Sequence, residues 1–401
     1  MVVVTINYRI GALGFLATEE AAEPNLWLSD QIAAMDWVRR NIERFGGDPE
    51  QITVAGESGG AFSALSLAVS EVSSPWIRRV ILQSAPLGLR LATPQDTMAT
   101  TRRIMDLLGC ATIEQLRAVP SEALIGATLQ LMPLAARFGH WSTPFVPTIG
   151  SALLPQHPLD AFIDGAAADI DVLVGWNADE ASFAFALNPS VQGLDDSRVL
   201  ERLAERFSPA DSAYASYASR AASGDDVPRQ VLEAIVSDEL FIQPAVELAE
   251  SRRDARSVFA YHFAFRSLAH DGRLGATHCF ELPFTFANLE RWSHAPFAQG
   301  LDPDAFQETS TLMHEAWISF IRTGDPGTGT RVLVPVRAGA ARHGVRLSLP
   351  GGARSRGRRT DASRAGGRPH ASSPLTRSGR LKSLRARSAA MMLARATGIA
   401  V

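Results

Sequence analysis

Two hydrophobic periods alternate along most of the chain and predict its secondary structure. Short runs of β-branched and apolar residues predict buried strands at 52–55, 79–84, 169–174 and 258–265. Segment 27–44 instead repeats apolar residues every three or four positions, which predicts an amphipathic helix that covers a sheet. Strands that alternate with helices in this way predict an α/β fold with a doubly wound, mostly parallel sheet.

Other parts of the chain complete this pattern. The apolar stretch 1–8 predicts a further core strand, because it has neither the basic residues nor the small-residue cleavage site of a signal peptide. Segments 93–140 and 196–252 are mostly helical in pattern, and we interpret the first as a lid or insertion. No internal repeat interrupts the alternation.

The segment 56–60 reads Gly-Glu-Ser-Gly-Gly and fits the pattern G-x-S-x-G. It follows the predicted strand 52–55 and precedes a run of small, helix-forming residues at 61–69. This strand, sharp turn and helix are the setting of a nucleophile elbow, which exposes a serine hydroxyl at the carboxyl edge of a sheet. We therefore predict Ser58 as a nucleophile, with the N–H of Gly59 facing the same space.

A nucleophilic serine needs a histidine to take its proton and a carboxylate to orient that histidine. Asp179 and Glu180 follow the predicted strand 169–174, so both are candidates for the acid, and their spacing alone does not choose between them. His278 lies further along, in a glycine-led loop after the strand 258–265, and is the preferred base. His262 lies within that strand pattern and is interpreted as a packed residue.

Composition excludes several classes of protein. With 46% hydrophobic and 20% charged residues, and no apolar run of membrane-spanning length, the chain is typical of a globular protein without a membrane span. Cys110 and Cys279 are too few and too far apart for a disulfide framework, which favours a reducing, cytoplasmic location. No metal cluster, phosphate loop or nucleotide motif occurs, so we expect no cofactor and no metal.

The charge distribution changes near residue 327. Segment 327–401 contains fifteen Arg, one Lys and a single acidic residue, and the last aromatic residue of the chain is Phe320. Such a segment is difficult to pack, so we expect 1–326 to form the domain and 327–401 to be a disordered or frame-shifted tail. We do not expect this tail to bind nucleic acid.

In these motifs the chain resembles the type-B carboxylesterases, the α/β-hydrolases that include para-nitrobenzyl esterases and cholinesterases. The matching segments are 4–15, 30–41, 45–49, 56–60, 175–180, 275–278, 281–284 and 317–326. They occur in the order of the family and cover essentially residues 2–326.

This resemblance implies an α/β-hydrolase fold with helical insertions and the hydrolysis of small hydrophobic esters through an acyl-enzyme. It implies Ser58 as nucleophile, Glu180 rather than Asp179 as the acid, and His278 as the base. Gly59 would donate its N–H to the oxyanion. Glu57 and Ser84 would lie near the histidine and the acid and support them without being members of the triad.

The chain also departs from the family pattern. We find no His-Gly-Gly-Gly loop, which in the family supplies most of the oxyanion hole, and we expect the N-terminal strands to be missing. Gly59 replaces the usual alanine, Ala181 replaces the usual glycine, and 149–150 is Ile-Gly instead of Asp-Gly. An inactive fragment and a non-catalytic binding protein on the same fold therefore stay open as alternatives.

Overall fold

Seven strands form one sheet in the computed structural model, which describes residues 1–18, 23–221, 226–252 and 258–327 and the backbone of two strands further on. The strands are β1 Val3–Thr5, β2 Thr53–Glu57, β3 Arg79–Gln83, β4 Asp171–Asn177, β5 Val258–Phe263, β6 Val345–Ser348 and β7 Thr397–Ala400. Their order across the sheet is β1-β7-β2-β3-β4-β5-β6. Strands β2 to β5 pair in parallel, whereas β6 and β7 pair antiparallel to their neighbours. The mostly parallel sheet confirms the predicted fold class.

Helices connect these strands and cover the sheet. The α-helices of the described ranges are α1 Ala12–Phe15, α2 Leu26–Asn41, α3 Gly59–Val69, α4 Pro94–Leu108, α5 Ile113–Arg117, α6 Ser121–Leu131, α7 Pro158–Ile163, α8 Ser182–Phe185, α9 Asp196–Ala204, α10 Ala210–Ala218, α11 Val227–Ser237, α12 Gln243–Ser251, α13 Leu282–Thr285 and α14 Pro303–Thr323. A π-helical turn, Asp238–Ile242, joins α11 to α12. None of these helices is long and apolar enough to cross a bilayer.

The predicted elements agree with these bounds to within a few residues. The amphipathic pattern over 27–44 corresponds to α2 and a 3-10 turn, Ile42–Phe45, which ends at Gly46 with a φ of 79°. The predicted lid region 93–140 contains α4, α5 and α6. The strand expected over 1–8 is only three residues long in β1, which touches the rest of the sheet through β7.

Neighbouring residues of each strand point to opposite sides of the sheet, and helices cover both faces, so both are buried. On one face, Val80 and Val172 pack with α2, α3, α7 and α12. On the other face, Ile81 and Leu173 pack with α13 and α14. Helix α3 is buried along nearly its whole length between the sheet and its neighbours, which fixes the end of the helix that follows Ser58.

The basic segment 327–401 lies mostly outside the described residues. Its two described pieces are the strands β6 and β7, at one edge of the sheet and between β1 and β2 respectively. Apart from Gly327 and these two strands, the segment lies outside the described residues, and the expectation of a disordered or frame-shifted tail stays a prediction.

Candidate active site

Ser58 lies at the sharp turn from β2 into α3. Its φ of 56° and ψ of −124° are unusual for a residue with a side chain, and its N–H donates to the carbonyl of Gln83 at 2.9 Å. The carbonyl of Ser58 then accepts the N–H groups of Ala61 and Phe62, which starts the helix. The turn thus has the strained backbone that the predicted nucleophile elbow requires.

Glycine at position 56 is needed because strand and helix nearly touch there. A Cβ on Gly56 would lie 2.2 Å from the carbonyl carbon and oxygen of Gly60. Gly59, in contrast, has open space where a Cβ would be. As the first helical residue, Gly59 has an N–H without an acceptor one turn back, so this group is free to face an anion.

His278 lies in the loop that follows β5, and its imidazole bonds to Glu180. The Nδ1 atom of His278 is 2.6 Å from Oε2 of Glu180, while Oε1 of Glu180 accepts the backbone N–H of Asn177 at 2.8 Å. His278 is 4% exposed and Glu180 is 0% exposed. The carboxylate is therefore fixed from one side by β4 and holds the ring in place from the other.

Asp179 faces away from this pair. Its carboxylate accepts the side chain of Arg266 at 2.7 Å and the backbone N–H of Ala276 at 2.8 Å. Asp179 therefore helps to hold the loop in which His278 lies, while Glu180 contacts the histidine itself.

The second ring nitrogen of His278 contacts Glu57. Nε2 of His278 lies 3.2 Å from Oε1 of Glu57, and Sγ of Cys279 donates to the same oxygen at 3.2 Å. Ser58 Oγ has no hydrogen-bond partner among the described residues. Since Glu57 precedes Ser58 in the chain, this contact brings the imidazole close to the elbow.

Burial and charge act in opposite directions on His278. Burial alone lowers the pKa of the imidazole, but the carboxylates of Glu57, Glu180 and Glu281 outweigh it and raise the pKa to about 9. Burial also raises the pKa of Glu57, against the opposing effect of His278 and Cys279. The site thus concentrates negative charge around one histidine.

Glu281 is a component of the site to which sequence reasoning gave no role. It is fully buried, and it accepts the side-chain amides of Asn177 at 2.6 Å and Gln83 at 3.3 Å. Burial, together with Glu57 and Glu180, raises the pKa of Glu281 to about 8. The available signal was a single carboxylate, Glu281, between Phe280 and Leu282 in an apolar run. A carboxylate buried in such a run needs polar partners, which indicates a role in a polar site.

Ser84 lies directly after a strand of the sheet and His262 lies within one, and neither belongs to the His278–Glu180 pair. Ser84, just after β3, is fully buried with a φ of 49°, and its N–H donates to Gly175 of β4 at 2.8 Å. Its Oγ bonds neither the histidine nor the acid and has no partner among the described residues. His262 is part of β5 and lies against the ring of Trp176, with centroids 6.0 Å apart, as expected for a packed residue.

Aromatic rings cover the imidazole. The rings of Phe183 and Phe241 have their centroids 5.1 Å and 4.9 Å from that of His278. These rings exclude water from the ring faces and give the site an apolar wall. In such surroundings the interaction of His278 with its carboxylates is stronger than in water.

Comparison with known proteins identifies the family to which this chain belongs. The model of the carboxylesterase family matches residues 1–342. Phenmedipham hydrolase of Pseudarthrobacter oxydans is 42% identical over 326 residues, which are 81% of this chain and 64% of that protein. The para-nitrobenzyl esterase of Bacillus subtilis is 32% identical over 336 residues, or 82% of this chain and 65% of that protein.

Solved structures show the same likeness. A carboxylesterase of Geobacillus stearothermophilus superimposes with a TM-score of 0.69 at 32% identity, covering 80% of this chain and 66% of the other. The chain thus spans somewhat less than two thirds of the length of these relatives. The matched residues include the elbow, the Glu180 strand end and the His278 loop, and the chain belongs to the carboxylesterase family of α/β-hydrolases.

Proposed function

We propose that this chain hydrolyses carboxylic esters through an acyl-enzyme on Ser58. The observation that carries the proposal is the His278–Glu180 pair at 2.6 Å beside a serine in a strained elbow. This is the chain order of nucleophile, acid and base that α/β-hydrolases use.

In the proposed reaction, Ser58 Oγ attacks the carbonyl carbon of the ester while Nε2 of His278 takes its proton. The tetrahedral intermediate collapses, the C–O bond to the alcohol breaks, and Nε2 returns the proton to the leaving alcohol. Water then attacks the acyl carbon while Nε2 of His278 takes its proton, the bond from the acyl carbon to Ser58 Oγ breaks, the carboxylic acid leaves, and Nε2 returns the proton to Oγ. Glu180 keeps the proton on Nδ1 and stabilises the imidazolium that forms at each step.

The N–H of Gly59 is proposed to donate to the oxyanion of the intermediate, supported by its position at the first turn of α3. Each donor of this kind is typically worth about 100- to 1000-fold in turnover. Glu57 also has a part in the cycle, because Nε2 must exchange its contact with Glu57 for the hydroxyl of Ser58. Hydrogen bonds of a catalytic base often tighten only when substrate is bound.

The proposed substrates are small hydrophobic esters with short acyl groups. The apolar wall of Phe183 and Phe241 beside His278 supports this class, since uncharged groups lose little on leaving water there. p-Nitrophenyl butyrate is a suitable first substrate of this class. Phenmedipham, a carbamate, is a separate second substrate to test because a relative is named for its hydrolysis.

The proposal is tested by the intact mass of folded protein after exposure to a fluorophosphonate probe. We expect one adduct on the wild-type chain, as Ser58 Oγ displaces fluoride from phosphorus, and none on Ser58→Ala. Ser63→Ala is a matched control, because Ser63 lies on the same helix and its hydroxyl already donates to the carbonyl of Gly59 at 2.9 Å. It should label like the wild type.

The absence of an adduct on folded wild-type protein would contradict the proposal. The chain would then be a non-catalytic or inactive member of its family. Labelling that persists in Ser58→Ala would show that another residue is the nucleophile, and the assignment of Ser58 would be wrong.

A further inference from the structure

We propose that Glu57, His278 and Cys279 form an inhibitory site for Zn²⁺ or a similar thiophilic divalent cation, which binds at the nitrogen that catalysis needs. Three different metal-ligating atoms converge there: a carboxylate oxygen, the imidazole Nε2 and a thiol sulfur. All three lie within 4.8 Å of one another. The metal site itself does not depend on the proposed ester hydrolysis, but its inhibitory effect does.

Two of the three ligand distances fit tetrahedral zinc. With Zn–N and Zn–O bonds of about 2.0 Å and a Zn–S bond of about 2.3 Å, tetrahedral angles place N and O about 3.3 Å apart and S and O about 3.5 Å apart. In the structure, Nε2 of His278 is 3.2 Å from Oε1 of Glu57, and Sγ of Cys279 is 3.2 Å from the same oxygen. The third pair, Sγ of Cys279 and Nε2 of His278, lies within 4.8 Å, so side-chain adjustments that bring it to about 3.5 Å would close the three ligands on an ion.

The surroundings already provide the support that a zinc-bound histidine needs. A histidine that ligates through one nitrogen typically donates the other N–H to a carboxylate, which fixes the ring and makes it a better ligand. Nδ1 of His278 lies 2.6 Å from Glu180 in this way. The buried carboxylate of Glu180 adds negative charge that favours a cation over an empty site.

Cys279 is held in place and is partly open to solvent. Its φ of 66° is a conformation that favours glycine, so the surrounding loop must hold the residue there. Glu57 and His278 are almost fully buried, whereas Cys279 is half-buried, which gives an ion an approach from the cysteine side.

Binding has a defined chemical balance. The S–H bond of Cys279 breaks, its proton goes to solvent, and a sulfur–metal bond forms. Glu57 and Nε2 bind as carboxylate and neutral imidazole, and they release any proton that they held. The three protein ligands leave a fourth position open for water. With its lone pair on the metal, Nε2 no longer accepts the proton of Ser58.

The experiment is a Co²⁺ titration of tag-free protein, followed by the sulfur-to-cobalt charge-transfer absorption. We expect this band in the wild-type chain and its loss when Zn²⁺ displaces Co²⁺. Cys279→Ala should abolish the band and lower the affinity for Zn²⁺, measured by calorimetry, at least tenfold. Replacing a residue that only supports a metal ligand already lowers metal affinity about 10- to 100-fold, so the loss of a ligand should cost no less. Cys110→Ala, which removes the other cysteine, is the matched control and should keep the band.

Folding is checked by circular dichroism, and Cys279→Ser replaces Cys279→Ala if the latter does not fold. A folded wild-type chain without the band, or a band that survives in Cys279→Ala, would overturn the proposal. These readouts need no catalysis, so they test the metal site independently of ester hydrolysis. A chain without a fluorophosphonate adduct but with a Cys279-dependent band would contradict ester hydrolysis and still support the metal site. In an active chain, we expect saturating Zn²⁺ to lower turnover by about 100-fold, the usual value of a general base, and a chelator to restore it.

Discussion

The carboxylate of Glu180 lies 2.6 Å from Nδ1 of His278, although 98 positions separate the two residues in the chain. Its neighbour Asp179 is engaged by Arg266 and by the backbone of the His278 loop. Two adjacent acids after one strand thus have separate tasks. One orients the imidazole, and the other holds the loop that carries it.

This division gives a test with a built-in control. Glu180→Gln keeps the shape of the side chain but removes the charge that stabilises the imidazolium, so we expect kcat for p-nitrophenyl butyrate to fall about 10⁴-fold. Asp179→Asn should change kcat by no more than about tenfold, because its ion pair with Arg266 is partly exposed. An equal loss in both variants would show that the acid is not assigned by the contact with His278.

The close approach of β2 and α3 predicts opposite effects at two nearby glycines. Gly56→Ala would push a methyl group against the backbone of Gly60, so we expect a loss of about 1–3 kcal/mol in the free energy of unfolding. Gly59→Ala meets no atom and puts a better helix former into α3, so we expect a gain of up to about 1 kcal/mol. Urea unfolding measures both, and a destabilised Gly59→Ala would contradict the open space seen there.

Aromatic packing next to the His278 loop predicts that truncating one phenylalanine lowers the free energy of unfolding strongly, whereas truncating another hardly changes it. Phe284 is fully buried, with its ring centroid 4.5 Å from that of Phe306 and 4.7 Å from that of Phe265. Phe284→Ala should lower the free energy of unfolding by about 3–5 kcal/mol. Phe286→Ala, two residues on at a 57% exposed position, should change it by no more than about 0.5 kcal/mol in the same urea series.

Glu233 predicts a dependence of stability on pH. Burial, reinforced by Asp179 and Asp226 and opposed by its ion pair with Arg229, raises the pKa of this carboxyl from 4.5 to about 7. Between these two values the folded chain binds more protons at Glu233 than the unfolded chain does. The contribution of this residue to stability is therefore present below about pH 4.5 and is lost as the pH rises to about 7.

The measurement compares wild type with Glu233→Gln in urea unfolding from pH 4.5 to 8. The stability of the wild type relative to the variant should fall with pH by at most about 1.4 kcal/mol per unit, and should be level above pH 7. A difference that stays constant, or rises with pH, would show that the ion pair with Arg229 outweighs burial.

Sequence patterns predicted the sheet because strands that are buried on both faces consist of nearly continuous apolar residues. The runs that became β2 to β5 consist of β-branched and apolar residues, and such residues have few alternatives to a buried strand. The elbow was also predictable, since the sharp turn at Ser58 and the close contact of strand and helix require small residues at nearby positions such as Gly56. Segment 1–8 was less predictable, because the length of β1 is set by pairing with β7, a strand from the far end of the chain.

By itself, the sequence determined the order of the elements from β1 to β5, the strained turn at Ser58 and the acids and histidine available to it. These features depend on residues close together in the chain, so local patterns record them. Spacing along the chain left Asp179 and Glu180 open, the family resemblance favoured Glu180, and the tertiary structure shows the contact of Glu180 with the imidazole. Only the tertiary structure decided that Glu57 and Cys279 converge on the other nitrogen and that Glu281 is buried nearby. Those contacts depend on how strand ends distant in sequence come together, and on a burial that raises the interaction between charges.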